Sequence, residues 1–310
     1  MMKFAIAGSG GTGGVLGAYL AKAGNDVTFL ARGKHLEAIR EKGLTLESQH
    51  NGNFTVYPVK ACTMDEYADR PDVLLVCVKY YDIEAAIELA RRTAGEDTIV
   101  LPILNVYGTG GVMQAALPDK LTVLDGCMYV FGMIKEPGVI SQPQSILRVF
   151  YGFRQGQDRR LEAKARDLEQ VFKAAGIEGH FTDNIAADHL QKFSFVSPMG
   201  AAGLYFNAKS EDFQKEGQVR DTFVGLIREV QAIGDAMGLT FKSDLVKSGL
   251  KLIDAFKPGG MTSMQRDVAA GRQSEFAGLV DSIVELGKKL NVPTPYYAKI
   301  SQWGKENHIK

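Results

Sequence analysis

Apolar residues follow two different spacings along the chain. Continuous or alternating apolar runs, which are typical of buried strands, occupy residues 4–7, 27–31, 72–78 and 98–104. Between them, apolar residues recur every three or four positions, as in helices, at 15–21, 36–42, 84–94 and 159–175. This alternation of strands and helices predicts an α/β fold, a doubly wound sheet, over residues 1–181.

Helical spacing takes over near Thr182, where Thr182-Asp183-Asn184 is a suitable helix cap. The apolar stripes of four helices fall within residues 185–196, 219–237, 245–256 and 276–290. Pro198 follows the first stripe and predicts a bend or an interruption of that helix. The pattern therefore predicts a second, mainly α-helical domain at residues 182–310.

Length and composition agree with a soluble, two-domain enzyme. The chain has 310 residues, and its 36 basic and 36 acidic side chains leave no formal net charge, which argues against nucleic acid or a membrane surface as a partner. Cys62, Cys77 and Cys127 are far apart, so we expect no disulfide framework and no metal site, and a cytoplasmic location. The apolar residues on the helices of the second domain either form a homodimer face or belong entirely to the core, and both alternatives stay open.

A glycine-rich turn follows the first predicted strand. Gly8, Gly10 and Gly13 have G-x-G-x-x-G spacing between that strand and a helix, which is the order of a dinucleotide-binding Rossmann start. The first glycine permits the tight turn, the second lets the backbone approach a pyrophosphate, and the third allows close packing of helix on strand. We therefore expect these three glycines to bind a dinucleotide.

Basic residues stand at the end of the second strand, where NAD-selective sites usually carry an acid. Arg32, supported by Lys34, is suited to pair with a 2′-phosphate, so NADP(H) is favoured as the cofactor. The alternative is that Arg32 is an ordinary solvated loop residue.

Two further polar residues follow predicted strands, and the carboxyl ends of parallel strands are where ligands bind in such sheets. Lys79 follows the strand at 72–78, and Asn105 follows the strand at 98–104. Lys79 is a candidate cofactor ligand, and the Asn105 amide is a candidate ligand of nicotinamide and substrate. A solvated charge and a turn-forming asparagine are the alternatives.

Across nearly its full length the chain resembles the ketopantoate reductase family, the 2-dehydropantoate 2-reductases. The resemblance rests on the glycine turn, on Arg32 and on five short segments taken in order: Leu75-Val-Cys-Val-Lys79, Leu104-Asn-Val-Tyr-Gly108, Leu190-Gln-Lys-Phe193, Thr262-Ser-Met-Gln-Arg-Asp267, and Ser274-Glu275 leading into Leu290-Asn-Val-Pro-Thr-Pro295. It implies a Rossmann domain, a helical C-terminal domain, and NADPH-dependent reduction of ketopantoate to pantoate on the route to pantothenate and coenzyme A.

The resemblance also assigns roles to residues that spacing alone leaves open. It implies that Lys192 is the catalytic lysine, Glu275 a catalytic, substrate-binding carboxylate, and Ser263 a ligand of the substrate carboxylate. It also implies that Asn105 faces nicotinamide and substrate, and that Lys79 lies near the cofactor. Without the resemblance, Lys192 is simply a lysine four residues after Asp188, an ordinary ion-pair spacing on a helix.

The chain departs from the family pattern after Lys192. Better-matched members carry asparagines four and eight positions after this lysine, where this chain has Val196 and Gly200. The change removes polar contacts that select hydroxyl-bearing substrates. Three functions remain open: ketopantoate reduction, reduction of another 2-oxo acid on the same fold, and a regulatory protein that binds NADP(H) without turnover.

Overall fold

The computed structural model describes residues 1–310, which divide into two compact units. The first unit contains residues 1–104 and 108–185. The second contains residues 186–310 together with the short segment Asn105–Tyr107.

A parallel sheet of six strands forms the centre of the first unit. Its strands are β1 (Lys3–Ala7), β2 (Asp26–Leu30), β5 (Lys60–Cys62), β6 (Val73–Val76), β7 (Ile99–Pro102) and β8 (Thr122–Val123). They lie in the order β5-β2-β1-β6-β7-β8, with all five pairings parallel. Counted within this sheet the order is 3-2-1-4-5-6, which is the Rossmann topology and confirms the predicted fold class.

Both faces of this sheet are covered, which explains why its strands are continuous apolar runs. Phe4 and Ile6 point into one buried cluster, and Ala5 and Ala7 point into another. The helices of the unit are α1 (Gly11–Lys22), α2 (Gly33–Lys42), α3 (Ile83–Thr93), α4 (Thr109–Ala116) and α5 (Glu162–Ala174).

Two smaller sheets complete the first unit. Their strands are β3 (Leu44–Ser48), β4 (Phe54–Val56), β9 (Asp125–Val130), β10 (Met133–Glu136), β11 (Val139–Gln142), β12 (Leu147–Gly152) and β13 (Glu178–Phe181), in the orders β10-β11-β3-β4 and β13-β12-β9. β3 pairs antiparallel with β4, and the segment that joins them contains Asn51-Gly52, a sequence typical of hairpin turns. The parallel pairing of β11 with β3 joins segments about 90 residues apart in the chain and has no local sequence signal.

Helices make up the second unit, as their spacing predicts. They are α6 (Ile185–Tyr205), α7 (Ser210–Phe213), α8 (Gln218–Ala236), α9 (Leu245–Asp254), α10 (Ser263–Ala269), α11 (Ser282–Leu290) and α12 (Pro295–Glu306). A π-helical segment, Ala277–Asp281, leads directly into α11. The expected interruption at Pro198 is absent, because α6 continues through this proline for two further turns. No helix of the structure combines the length and hydropathy of a membrane span.

Candidate functional site

The glycine turn connects β1 to α1, and its three glycines have different surroundings. Gly8 has a φ of +89°, and a Cβ there would lie 2.9 Å from the Cys77 backbone, so only glycine fits this turn. A Cβ at Gly13 would lie 2.2 Å from the Gly8 carbonyl oxygen, so α1 packs against β1 at the distance that glycine allows. No atom lies within 4 Å of a Cβ at Gly10, so the backbone there can be approached from outside.

Two hydrogen bonds hold the turn against the end of β2. The N–H groups of Gly8 and Ser9 both donate to the Leu30 carbonyl oxygen, at 3.2 and 3.0 Å. The His35 ring lies between the turn and the loop before β11, with Nε2 2.9 Å from the Ser9 carbonyl oxygen, while Nδ1 accepts from the Gly138 N–H at 3.0 Å. The turn is therefore fixed by its neighbours as well as by its own glycines.

Arg32 lies between β2 and α2 as the N-cap residue of that helix. Its side chain is 78% exposed, and Nη2 donates to Asp82 Oδ2 at 3.1 Å. Lys34 is exposed in the first turn of α2. Lys79 is half-buried at the N-cap of the 3₁₀ turn Tyr80–Asp82, three residues after β6. Arg32 is thus an exposed guanidinium with an acidic partner, an arrangement that the sequence did not reveal.

Lys192 lies in α6 and is only 6% exposed. Its Nζ donates a hydrogen bond of 2.8 Å to Oδ1 of Asn105, which belongs to the same compact unit. The structure therefore brings together two residues that are 87 positions apart in the sequence. This bond orients the ammonium group, which is a donor of up to three hydrogen bonds.

His189 and Tyr107 accompany this pair. The rings of Tyr107 and His189 meet edge to face with centroids 5.3 Å apart, and Tyr107 also packs against Phe193. His189 is 3% exposed, and burial, followed by the charge of Lys192, lowers its pKa to about 3. The imidazole therefore stays neutral near the ammonium at physiological pH.

Asp188, the residue four positions before Lys192, accepts a hydrogen bond from Lys242 Nζ at 2.9 Å. Asp188 is buried and Lys242 is mostly exposed. The local spacing on α6 gives no indication of this bond, which joins α6 to the segment between α8 and α9.

Glu275 and Ser263 lie on segments that pack against α6. Glu275 is 4% exposed and begins the helical turn that leads into the π segment, where its carbonyl accepts from the Leu279 N–H. The Leu279 carbonyl in turn accepts from Ser197 Oγ of α6 at 2.5 Å. π-helical segments are frequent at functional sites, and this one follows the buried Glu275.

Ser263 is the first residue of α10, directly after the Thr262 cap. Its neighbour Met264 approaches α6 at Gly200, because a Cβ on that glycine would lie 3.0 Å from Met264 Cε. Gly200 is eight positions after Lys192, so methionine occupies the space beside this part of α6. Val196, four positions after Lys192, is partly buried. Val196 and Met264 therefore place apolar side chains along this part of α6.

Two family models match the chain in succession. The one described as Ketopantoate reductase PanE/ApbA covers residues 4–153, and the one described as its C-terminal domain covers residues 184–306. The chain belongs to the ketopantoate reductase family. It is therefore an oxidoreductase of the class that uses a nicotinamide dinucleotide to act on a CH–OH or C=O group.

Individual relatives agree with this assignment. A 2-dehydropantoate 2-reductase from Mesorhizobium japonicum is 28% identical, with 95% of this chain and 94% of that protein covered. The crystal structure of 2-dehydropantoate 2-reductase from Geobacter metallireducens GS-15 superposes with a TM-score of 0.87 at 26% identity, covering 99% and 100% of the two chains. D-Mandelate dehydrogenase, solved with NADH and anilino(oxo)acetate, shares the fold with a TM-score of 0.85 at 21% identity, covering 97% and 96%.

The structure adds three residues that the sequence did not nominate, namely Tyr107, His189 and Asp82. The inward position of His189 is apparent from helical spacing, but its closeness to Tyr107 is not. Asp82 is a polar residue ahead of a helix, and only its contact with Arg32 distinguishes it from other capping residues.

Proposed function

We propose that this ketopantoate reductase family member reduces 2-dehydropantoate to pantoate with NADPH. The observation that carries the proposal is the buried Lys192 ammonium held on the Asn105 amide oxygen at 2.8 Å. A protonated amine fixed in this way can donate a hydrogen bond to a ketone oxygen.

The surroundings of the glycine turn support the cofactor. Gly8 and Gly13 keep the turn tight, and the open space at Gly10 leaves its backbone accessible to a pyrophosphate. Arg32 is exposed and suited to pair with a 2′-phosphate, which favours NADPH over NADH. D-Mandelate dehydrogenase has the same fold and was solved with NADH, so the fold does not decide between NADH and NADPH. Side chains such as that of Arg32 would decide it.

Lys192 would act as the proton donor in the reaction. The chemistry that a nicotinamide would supply when bound is hydride transfer to the carbonyl carbon, and negative charge would then develop on the carbonyl oxygen. The Lys192 Nζ stabilises that charge and transfers a proton to the oxygen, which gives the alcohol. Asn105 holds Nζ in place, and the neutral His189 adds no second positive charge. Glu275 would accept a hydrogen bond from a substrate hydroxyl, and Ser263 would bind the substrate carboxylate.

A second candidate is the reduction of a more apolar 2-oxo acid. Val196 and Gly200 replace the two asparagines that better-matched family members carry. A Cβ added at Gly200 would lie 3.0 Å from Met264 Cε, so this methionine already occupies the space beside the glycine. Without those amides, this side of α6 lacks two polar groups that could bind a substrate hydroxyl.

The test is NADPH oxidation by the purified protein with a panel of 2-oxo acids that includes ketopantoate. We expect turnover of ketopantoate, and a kcat about 10²- to 10⁴-fold lower in the Lys192→Ala variant. Lys305→Ala, which removes an exposed lysine from α12, is the matched control. Turnover of another 2-oxo acid alone would favour the second candidate. NADPH binding without any turnover would favour a regulatory protein.

A further inference from the structure

The ion pair between Arg32 and Asp82 stands at the cofactor edge of the sheet. Strands β2 and β6 flank β1, and Ala7 at the end of β1 is in register with Leu30 on one side and Val76 on the other. Arg32 follows β2, and Asp82 lies at the N-cap of α3 after β6. Their bond of 3.1 Å therefore joins the two segments beside the glycine turn.

The pair places an acid on the group that would recognise a 2′-phosphate. A phosphate monoester carries about 1.5 to 2 negative charges near neutral pH. To bind the guanidinium, it must share or replace the Asp82 carboxylate and approach that carboxylate's negative charge. An NAD(H) ribose carries no such charge and meets no such competition.

We propose that Asp82 is a specificity-determining residue that weakens the binding of NADP(H) relative to NAD(H) through its contact with Arg32. This inference rests on the proposed NADP(H) site. Asp82 gives Arg32 a counterion while no 2′-phosphate is present, and it lowers the cofactor preference that Arg32 alone would give.

The opposite effect, in which Asp82 helps by orienting Arg32, is the weaker one. Arg32 is 78% exposed, and contacts between exposed charges hold a side chain only loosely. Asp82 is 28% exposed, so its charge is screened less than that of Arg32. We therefore expect removal of the Asp82 charge to strengthen 2′-phosphate binding by about three- to five-fold, which corresponds to the upper part of the range for exposed ion pairs.

The test measures binding alone, by calorimetric titration with adenosine 2′,5′-bisphosphate and with adenosine 5′-monophosphate. Asp82→Asn is expected to lower Kd for the bisphosphate by about three- to five-fold and to change Kd for the monophosphate less than about two-fold. Glu66→Gln is the matched control, since it removes one acidic charge from an exposed ion pair with Arg40 in the same unit. It should leave both dissociation constants unchanged.

Introducing Asp82→Asn into the Arg32→Ala variant tests whether the gain in affinity depends on the Arg32–Asp82 contact or only on removing a negative charge. With Arg32 absent, Asp82→Asn should give a clearly smaller gain. An unchanged or weaker affinity for the bisphosphate in Asp82→Asn overturns the inference, and so does an equal gain in Glu66→Gln or in the Arg32→Ala background. If the original protein binds both nucleotides equally and Arg32→Ala changes neither, the proposed NADP(H) site itself fails. If Arg32→Ala loses bisphosphate affinity but Asp82→Asn gains none, only the role of Asp82 fails.

Discussion

Replacement of His189 by leucine is expected to make the protein more resistant to acid. His189 is buried near the Lys192 ammonium, and Nε2 has no hydrogen-bond partner within the protein. Protonation would therefore place a second cation in a buried position without an added acceptor. Leucine is similar in size to histidine and does not titrate, so it removes this cost while the position stays apolar.

The magnitude follows from the two pKa values of His189. Burial, and then the charge of Lys192, lower the pKa in the folded protein from 6.5 to about 3. Between these values the unfolded chain binds a proton that the folded protein does not. The stability from the neutral imidazole is fully present above pH 6.5 and is lost as the pH falls toward 3. Each unit is about 1.36 kcal/mol, so the loss by pH 4.5 is about 2.7 kcal/mol.

Urea denaturation between pH 7.5 and 4.5 measures this difference. The chain has one tryptophan, Trp303 in α12, and its fluorescence reports on the same compact unit that contains His189. The free energy of unfolding should fall by about 2 to 3 kcal/mol more in the original protein than in His189→Leu. His308→Asn, which removes an exposed histidine near the C-terminus, is the control and should behave as the original.

The test compares how steeply the free energy of unfolding falls with pH in the two proteins. The value at neutral pH does not decide it, because leucine can also change the stability there. If His189→Leu lost as much stability as the original protein between pH 7.5 and 4.5, the buried neutral imidazole would not be a source of acid sensitivity. Equal improvement in His308→Asn would also refute the reasoning.

Four further substitutions test other parts of the structure. Gly13→Ala is expected to destabilise the first unit and lower Tm, because the added Cβ would lie 2.2 Å from the Gly8 carbonyl oxygen. Gly10→Ala should keep Tm, because no atom lies within 4 Å of its Cβ, and should weaken dinucleotide binding in a titration. Ser197→Ala should cost about 1 to 3 kcal/mol in urea denaturation, since the buried Tyr297 hydroxyl loses a partner at 2.6 Å, and a loss below about 0.5 kcal/mol would contradict this. Asn105→Ala should lower kcat about ten-fold or more with little change in nucleotide affinity, and an unchanged kcat would exclude a positioning role for this amide.

The sheet and the long helices were predictable because each has its own local signal. A strand such as β6 is apolar throughout since both faces of the sheet are covered, and α8 repeats its apolar residues at helical spacing. Some strands at the edges of the sheets lack such a local signal. β5, β10 and β13 are short and carry few buried residues, so their pairing partners, not their own residues, make them strands. Of the bend or interruption expected at Pro198, the interruption is absent, since α6 continues beyond this proline to Tyr205.

The candidate site was predictable only as far as chain neighbours determine it. The glycine turn is such a case, because the spacing of Gly8, Gly10 and Gly13 within six residues was enough to predict it. The Lys192 ammonium illustrates the opposite case. Its hydrogen bond to Asn105 spans 87 residues, and the Arg32–Asp82 pair spans 50. Such contacts depend on which strands are neighbours in the folded sheet and which segments pack on α6. For that reason residue type could nominate Arg32 and the family resemblance could nominate Lys192, whereas only the folded chain shows that Arg32 contacts the acid Asp82 and Lys192 contacts the amide of Asn105.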